Sequence, residues 1–91
     1  MAKVYVSQYA DFRGGAPYGG PIQTDTASST GSSAAVATVA ANCNFIRVHT
    51  DGIISLNIGA AASVNTPRMA ANTTEYFSVS EGQVVNVITN T

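Results

Sequence analysis

Apolar and polar side chains alternate along most of this chain, most clearly in Phe45-Ile46-Arg47-Val48-His49-Thr50-Asp51-Gly52-Ile53-Ile54-Ser55-Leu56-Asn57-Ile58-Gly59. Alternation of period two sends successive side chains to opposite faces of a strand. Two β-branched runs joined at Thr50-Asp51-Gly52 therefore predict a hairpin. Its register follows from the apolar positions, because a one-residue slip would turn all of them to the wrong face. A two-residue Asp51-Gly52 loop would set Ile46 and Val48 opposite Asn57 and Ser55. A three-residue loop, with Gly52 left-handed in a G1 bulge, pairs His49 with Ile53, Val48 with Ile54 and Ile46 with Leu56. This register gathers Ile46, Val48, Ile54, Leu56 and Ile58 on a core face. Phe45, Arg47, His49, Ile53, Ser55 and Asn57 fall on a mixed second face, suited to meeting a partner.

The same grammar recurs in residues 74–89, where Ser80-Glu81-Gly82 replaces Thr50-Asp51-Gly52. A second three-residue loop aligns Phe77 with Val85, Val79 with Gln83 and Glu75 with Val87, collecting Phe77, Val79, Val85 and Val87 on one face. Two such faces make the halves of a sandwich core. The likeness is confined to turn chemistry and alternation, so it is no internal repeat.

The remaining segments add shorter strands. Residues 3–9 alternate Val4 and Val6 against Tyr5, Ser7 and Tyr9, a strand with an aromatic face that reads as an edge strand. Residues 11–21 hold four glycines and two prolines, which argues against regular structure and for a loop or arm. Residues 22–28 read as a Thr-rich strand. In 33–40 the alanines permit a helix, but the stretch is short and contains Val36, Thr38 and Val39, which favours an extended segment. Pro67 keeps the 60–67 connection extended, and Asn72 suits a tight left-handed turn. The whole predicts one all-β domain over residues 1–91, a small antiparallel sandwich or barrel of jelly-roll or immunoglobulin-like size with about seven short strands.

Composition changes this picture in one respect. Charged residues are 10% of the chain, against roughly 25% in a typical soluble domain. Such a surface is either covered by other copies or another protein, or made polar by Ser, Thr and Asn without charge. A net charge of −1 and a pI near 5.5 give no electrostatic footprint for nucleic acid or an anionic membrane. No apolar run reaches the roughly 20 residues of a membrane span, and Met1-Ala2-Lys3 leads straight into Val4-Tyr5-Val6, so neither a span nor a signal peptide is expected. The single cysteine, Cys43, reads as a small buried residue of a protein made in a reducing cytoplasm.

Candidate chemistry is sparse. The glycine-rich segment lacks the Gly-Lys-Ser/Thr and the helix start of a phosphate loop. His49 is the single histidine, and no serine lies in a Gly-x-Ser-x-Gly context. Asp11, Asp25, Asp51, Glu75 and Glu81 never cluster at metal-ligand spacing. No enzyme, cofactor or metal site is expected. Glycines let backbone lie close to a neighbour, which suggests an arm anchored by Phe12 and Tyr18 beside Arg13. With the aromatic strand face of Tyr5 and Tyr9 and the outer face holding Arg47 and His49, these are the expected contacts with a partner. The rival from another class is a carbohydrate-binding sandwich, for which Tyr5, Tyr9, Tyr18 and Tyr76 would supply the stacking rings in a chain without Trp.

Phe45-Ile46-Arg47-Val48-His49-Thr50-Asp51, followed by Arg68-Met69-Ala70-Ala71-Asn72-Thr73-Thr74-Glu75-Tyr76-Phe77-Ser78-Val79 and preceded by Val4-Tyr5-Val6, resembles small structural proteins of tailed bacteriophages encoded among head genes. The likeness covers about half of the chain and skips the Gly-rich and Ser/Thr-rich part; its motifs are structural rather than catalytic. Relatives tend to carry glycine where Asn72 stands, and the Gly14 to Gly20 arm is unlike them. The resemblance implies a virion protein of the capsid surface, made in the host bacterial cytoplasm. It implies a decoration, or cement, protein that binds the major capsid protein and itself as a homotrimer. A head-fibre or head-tail component is the alternative from the same gene neighbourhood.

Overall fold

A computed structural model describes residues 2–13, 16–18, 20 and 22–90, of which 11–13 and 16–18 by their backbone alone. Among the described residues there are ten strands and no helix: β1 Lys3–Tyr9, β2 Asp11–Arg13, β3 Ala16–Tyr18, β4 Gln23–Ser28, β5 Ala34–Thr38, β6 Phe45–Thr50, β7 Ile54–Ile58, β8 Arg68–Met69, β9 Thr73–Ser78 and β10 Val84–Thr89. Eight form two four-stranded antiparallel sheets, a front sheet of order β4-β1-β6-β9 and a back sheet of order β5-β10-β7-β8. The all-β sandwich expected from alternation is the fold that forms.

The strand pairing differs from the hairpins the alternation suggested. β6 pairs with β1 on one side and β9 on the other, so neither of its edges is free for β7. β7 lies in the other sheet, between β10 and β8. Likewise β9 pairs with β6, while β10 lies between β5 and β7. Both expected hairpins are thus arches: the chain leaves one sheet, turns a corner and enters the opposite one. The core assignments survive, because an arch and a hairpin can bury the same alternate positions. Ile46, Val48, Ile54, Leu56, Val79, Val85 and Val87 are all buried, and Ile58 and Phe77 pack against them. The inner faces meet across the sandwich instead of lying side by side.

Turn chemistry shifts with the pairing. Gly52 is not among the residues of positive φ, whereas Gly82 is, at 87°. What position 52 requires is space: a Cβ built there would lie 2.9 Å from the Ala2 Cβ. Thr50, fully buried, donates its hydroxyl to the Gly52 carbonyl at 2.6 Å and so braces the corner. Asn72 adopts the expected left-handed conformation, with φ 57°.

β1 is not an edge strand. It sits between β4 and β6, and the edges of the front sheet are β4 and β9. β1 and β4 are antiparallel neighbours, the arms of a long hairpin, and β2 and β3 fall between them in the chain. β2 and β3 pair with each other, Phe12 opposite Pro17, so a short ladder forms where glycine and proline content argued for none. Ile22 N–H donates to the Gln8 carbonyl at 2.6 Å and the Asn44 side chain to the Ala10 carbonyl at 2.8 Å, fastening the chain where it leaves β1 and returns as β4.

Candidate functional site

The two outer faces of the sandwich differ in one decisive way. On the back sheet, Ser55, Asn57 and Asn86 fall on the side away from the core, and the connection after Gly59 lies over them. Asn57 donates to the Ala61 carbonyl at 3.3 Å and Asn86 to the Ala60 carbonyl at 2.8 Å. Asn90 reaches both the Ser55 hydroxyl, at 2.7 Å, and the Val64 carbonyl, at 3.4 Å. Ser55 is fully buried as a result. The mixed hairpin face read from the sequence is therefore divided. Phe45, Arg47 and His49 belong to the outer face of the front sheet, whereas Ser55 and Asn57 lie beneath a loop on the opposite side of the molecule.

The front face can be read off its registers. Thr26, Tyr5, His49 and Thr74 form one row across the four strands, Thr24, Ser7, Arg47 and Tyr76 the next, and Tyr9, Phe45 and Ser78 a third. These positions alternate with the buried Val4, Val6, Ile46 and Val48, so all point away from the core. The fold brings Tyr5, Tyr9, Arg47 and His49 onto one surface from two adjacent strands. Phe12, Arg13 and Tyr18 stand on the β2–β3 ladder; their side chains lie outside the described residues.

Within the face, the Tyr5 and His49 rings are 5.9 Å apart at a tilt of 44°, and the Lys3 ammonium stands 5.4 Å from the Tyr5 ring centre, within cation–π range. His49 Nδ1 is 2.8 Å from the Thr74 hydroxyl, and the Ser7 and Thr24 hydroxyls are 3.3 Å apart. Tyr5, Ser7, Thr24, Arg47 and His49 line an open depression of about 390 Å³. A smaller apolar cleft, of about 170 Å³, opens between Leu56, Ile58, Pro67 and Phe77. Among the described residues no three or more His, Cys, Asp or Glu side chains come together to hold a metal. Cys43 is buried and its thiol faces the Phe45 carbonyl at 3.3 Å.

Lys3, Ser7, Thr24 and Thr74, which the sequence does not single out, complete this surface with Tyr76, which it offers only as a stacking ring for a sugar. Their parity within each strand was legible, but only the pairing of β1 with β4 and β6, and of β6 with β9, sets them in common rows. Tyr76, 43% exposed, is the largest aromatic contribution of the edge strand.

The sheet edges carry devices against strand addition. Asp25 on β4 and Glu75 on β9 stand opposite the buried Val6 and Val48, which places a charge on the core side of each front-sheet edge. β5 is bulged: Val85 pairs with Ala37 and Asn86 with Ala35, leaving Val36 unmatched. β8 is two residues long and follows Pro67. A partner accordingly has better access to a face than to an edge. Comparison of the chain with protein-family models, curated proteins and solved structures finds no match.

Proposed function

We propose that this chain is a non-enzymatic structural protein of a tailed-bacteriophage virion, a capsid decoration protein that docks on the major capsid protein through the outer face of its front sheet. The observation that carries this reading is the contrast between faces: a loop lies over Ser55, Asn57 and Asn86 on the back sheet, whereas the outer face of the front sheet gathers Tyr5, Tyr9, Phe45, Arg47, His49 and Tyr76. Tyrosine and arginine are the residue types that most often anchor interfaces. The resemblance to phage head proteins supplies the identity of the partner, and the low charge is the composition expected of a chain that works in an assembly. Each copy would bridge neighbouring shell subunits, with weak contacts multiplied by repetition over the lattice.

The test is co-sedimentation with heads assembled from the major capsid protein without this chain, combined with light scattering of the free protein. Saturable binding, lost when Tyr5 and Tyr76 are both replaced by Ala, supports the reading. A solution mass three times the 9.3 kDa chain would supply the trimer. A well-folded chain that never sediments with heads would overturn it. The depression beside Tyr5 favours a second reading, a carbohydrate-binding module, which glycan screening with the same variants would separate.

A further inference from the structure

Arg47 stands in the middle of the front face, on an inner strand between Ser7 and Tyr76. It is half-buried on the wall of the depression, and has no hydrogen-bond or ion-pair partner among the described residues. Its five N–H donors are thus open to a ligand, in a planar fork that matches a planar anion. The groups around it are donors or can be. Of the Ser7 and Thr24 hydroxyls, whichever accepts the other's proton keeps its own to donate. In the tautomer whose Nδ1 accepts from the Thr74 hydroxyl, His49 carries its ring proton on Nε2 and can donate it. Tyr5 adds a phenol. Among the described residues no carboxylate lines the depression. Asp25 and Glu75 occupy the core-side register of the edges, and Asp51 sits at a corner bonded to the Lys3 amide.

We propose that this depression receives one carboxylate, the Asp or Glu side chain of the shell protein, in a bidentate pair with Arg47. The source of the carboxylate rests on the decoration reading; its chemistry rests on the depression alone. The one guanidinium lining the depression matches a planar, singly charged group, a carboxylate, in two parallel bonds; the Lys3 ammonium is engaged with the Tyr5 ring. A stacked sugar fits less well, because the Tyr5 ring it would use already carries the Lys3 ammonium and the His49 ring. An acidic side chain entering from above would meet donors on three sides and leave the surrounding Tyr9, Phe45 and Tyr76 to exclude water.

The test follows Arg47 Nε–H and the backbone amides by nuclear magnetic resonance in ¹⁵N-labelled full-length chain, titrated at constant ionic strength with sodium acetate, sodium chloride and sodium glucuronate. The expected result is a saturable acetate response at Arg47 Nε and the amides of Ser7, Thr24 and His49. It is absent with chloride and lost in an R47Q variant whose remaining spectrum is unchanged. Binding to undecorated heads should then weaken by roughly ten- to a hundredfold in R47Q and by less in R47K. Equal responses to acetate and chloride would overturn the site. Glucuronate binding tenfold or more tighter than acetate would overturn a protein side chain as the occupant in favour of an acidic glycan. Acetate saturation by a chain that does not bind heads would overturn the shell protein as the source and leave the carboxylate chemistry standing.

Discussion

Lys3 and Asp51 hold each other by two hydrogen bonds: the Lys3 amide donates to Asp51 Oδ1 at 2.6 Å, and the Asp51 amide to the Lys3 carbonyl at 3.1 Å. The pair fastens the start of β1 to the corner at which the chain leaves the front sheet. Asp51 is thereby a clamp on an arch and not the tip of a hairpin. Replacing it with Ala removes a charge-assisted but exposed bond and should cost about 1 kcal/mol. In a domain of this size that lowers the melting temperature by about 4–8 °C. Asn at the same position, which can still accept from Lys3, should recover part of the loss in the same thermal melt.

Gln8 is a second clamp, this one buried. Its amide donates to the Thr38 carbonyl at 3.1 Å and its carbonyl accepts from Ala40 N–H at 2.8 Å, joining β1 of the front sheet to the end of β5 in the back sheet. Gln8→Ala leaves a cavity and two unsatisfied backbone groups, and should cost about 2–4 kcal/mol in chemical denaturation. Gln8→Glu tests the direction of the bond. Its carboxyl can donate to Thr38 only when protonated, which raises its folded pKa above the unfolded value of about 4.3. The variant's stability should be greatest relative to wild type below that pH and fall as pH rises through the folded pKa. A variant as stable as wild type at neutral pH would refute this role.

The glycines make separable predictions. Gly52→Ala drives a methyl onto Ala2, whose Cβ and Cα would lie 2.9 and 3.3 Å away, and should cost about 1–3 kcal/mol. Gly82→Ala meets nothing within 4 Å but is strained by its φ of 87°, at about 1–2 kcal/mol. Gly31→Ala has open space and no positive φ, so its melting curve should stay within about 0.5 kcal/mol of wild type. The order of the three melting temperatures checks the assignment.

Asp25 and Glu75 should matter more for solubility than for stability. Asp25→Val and Glu75→Val together remove the one charge from each front-sheet edge strand and should produce concentration-dependent association by light scattering. A double variant that scatters like wild type would refute edge protection.

The chain that leaves β1 and returns as β4 is fastened by bonds from Ile22 to Gln8 and from Asn44 to Ala10, which makes residues 12–20 removable without disturbing the sheets. Their replacement by a short linker should leave the melting temperature within a few degrees of wild type and abolish co-sedimentation with heads. Unaltered sedimentation would remove the arm from the docking surface.

By itself the sequence determined which side chains enter the core. A period of two admits only two faces, and Ile46, Val48, Ile54, Leu56, Val85 and Val87 are apolar on one of them throughout. It also determined the class of fold and the left-handed turn at Asn72. Tertiary structure decided the neighbours. Alternation is silent on whether two runs joined by three residues lie side by side or face to face, since either arrangement buries the same positions. That choice fell to competition for strand edges, which β1 and β9 win on β6 and β5 and β7 win on β10. The same competition set Ser7, Thr24 and Arg47 around one depression, and Asn57, Asn86 and Asn90 beneath a loop. Which face stays open is thus a property of packing between segments distant in the chain, and no local pattern encodes it.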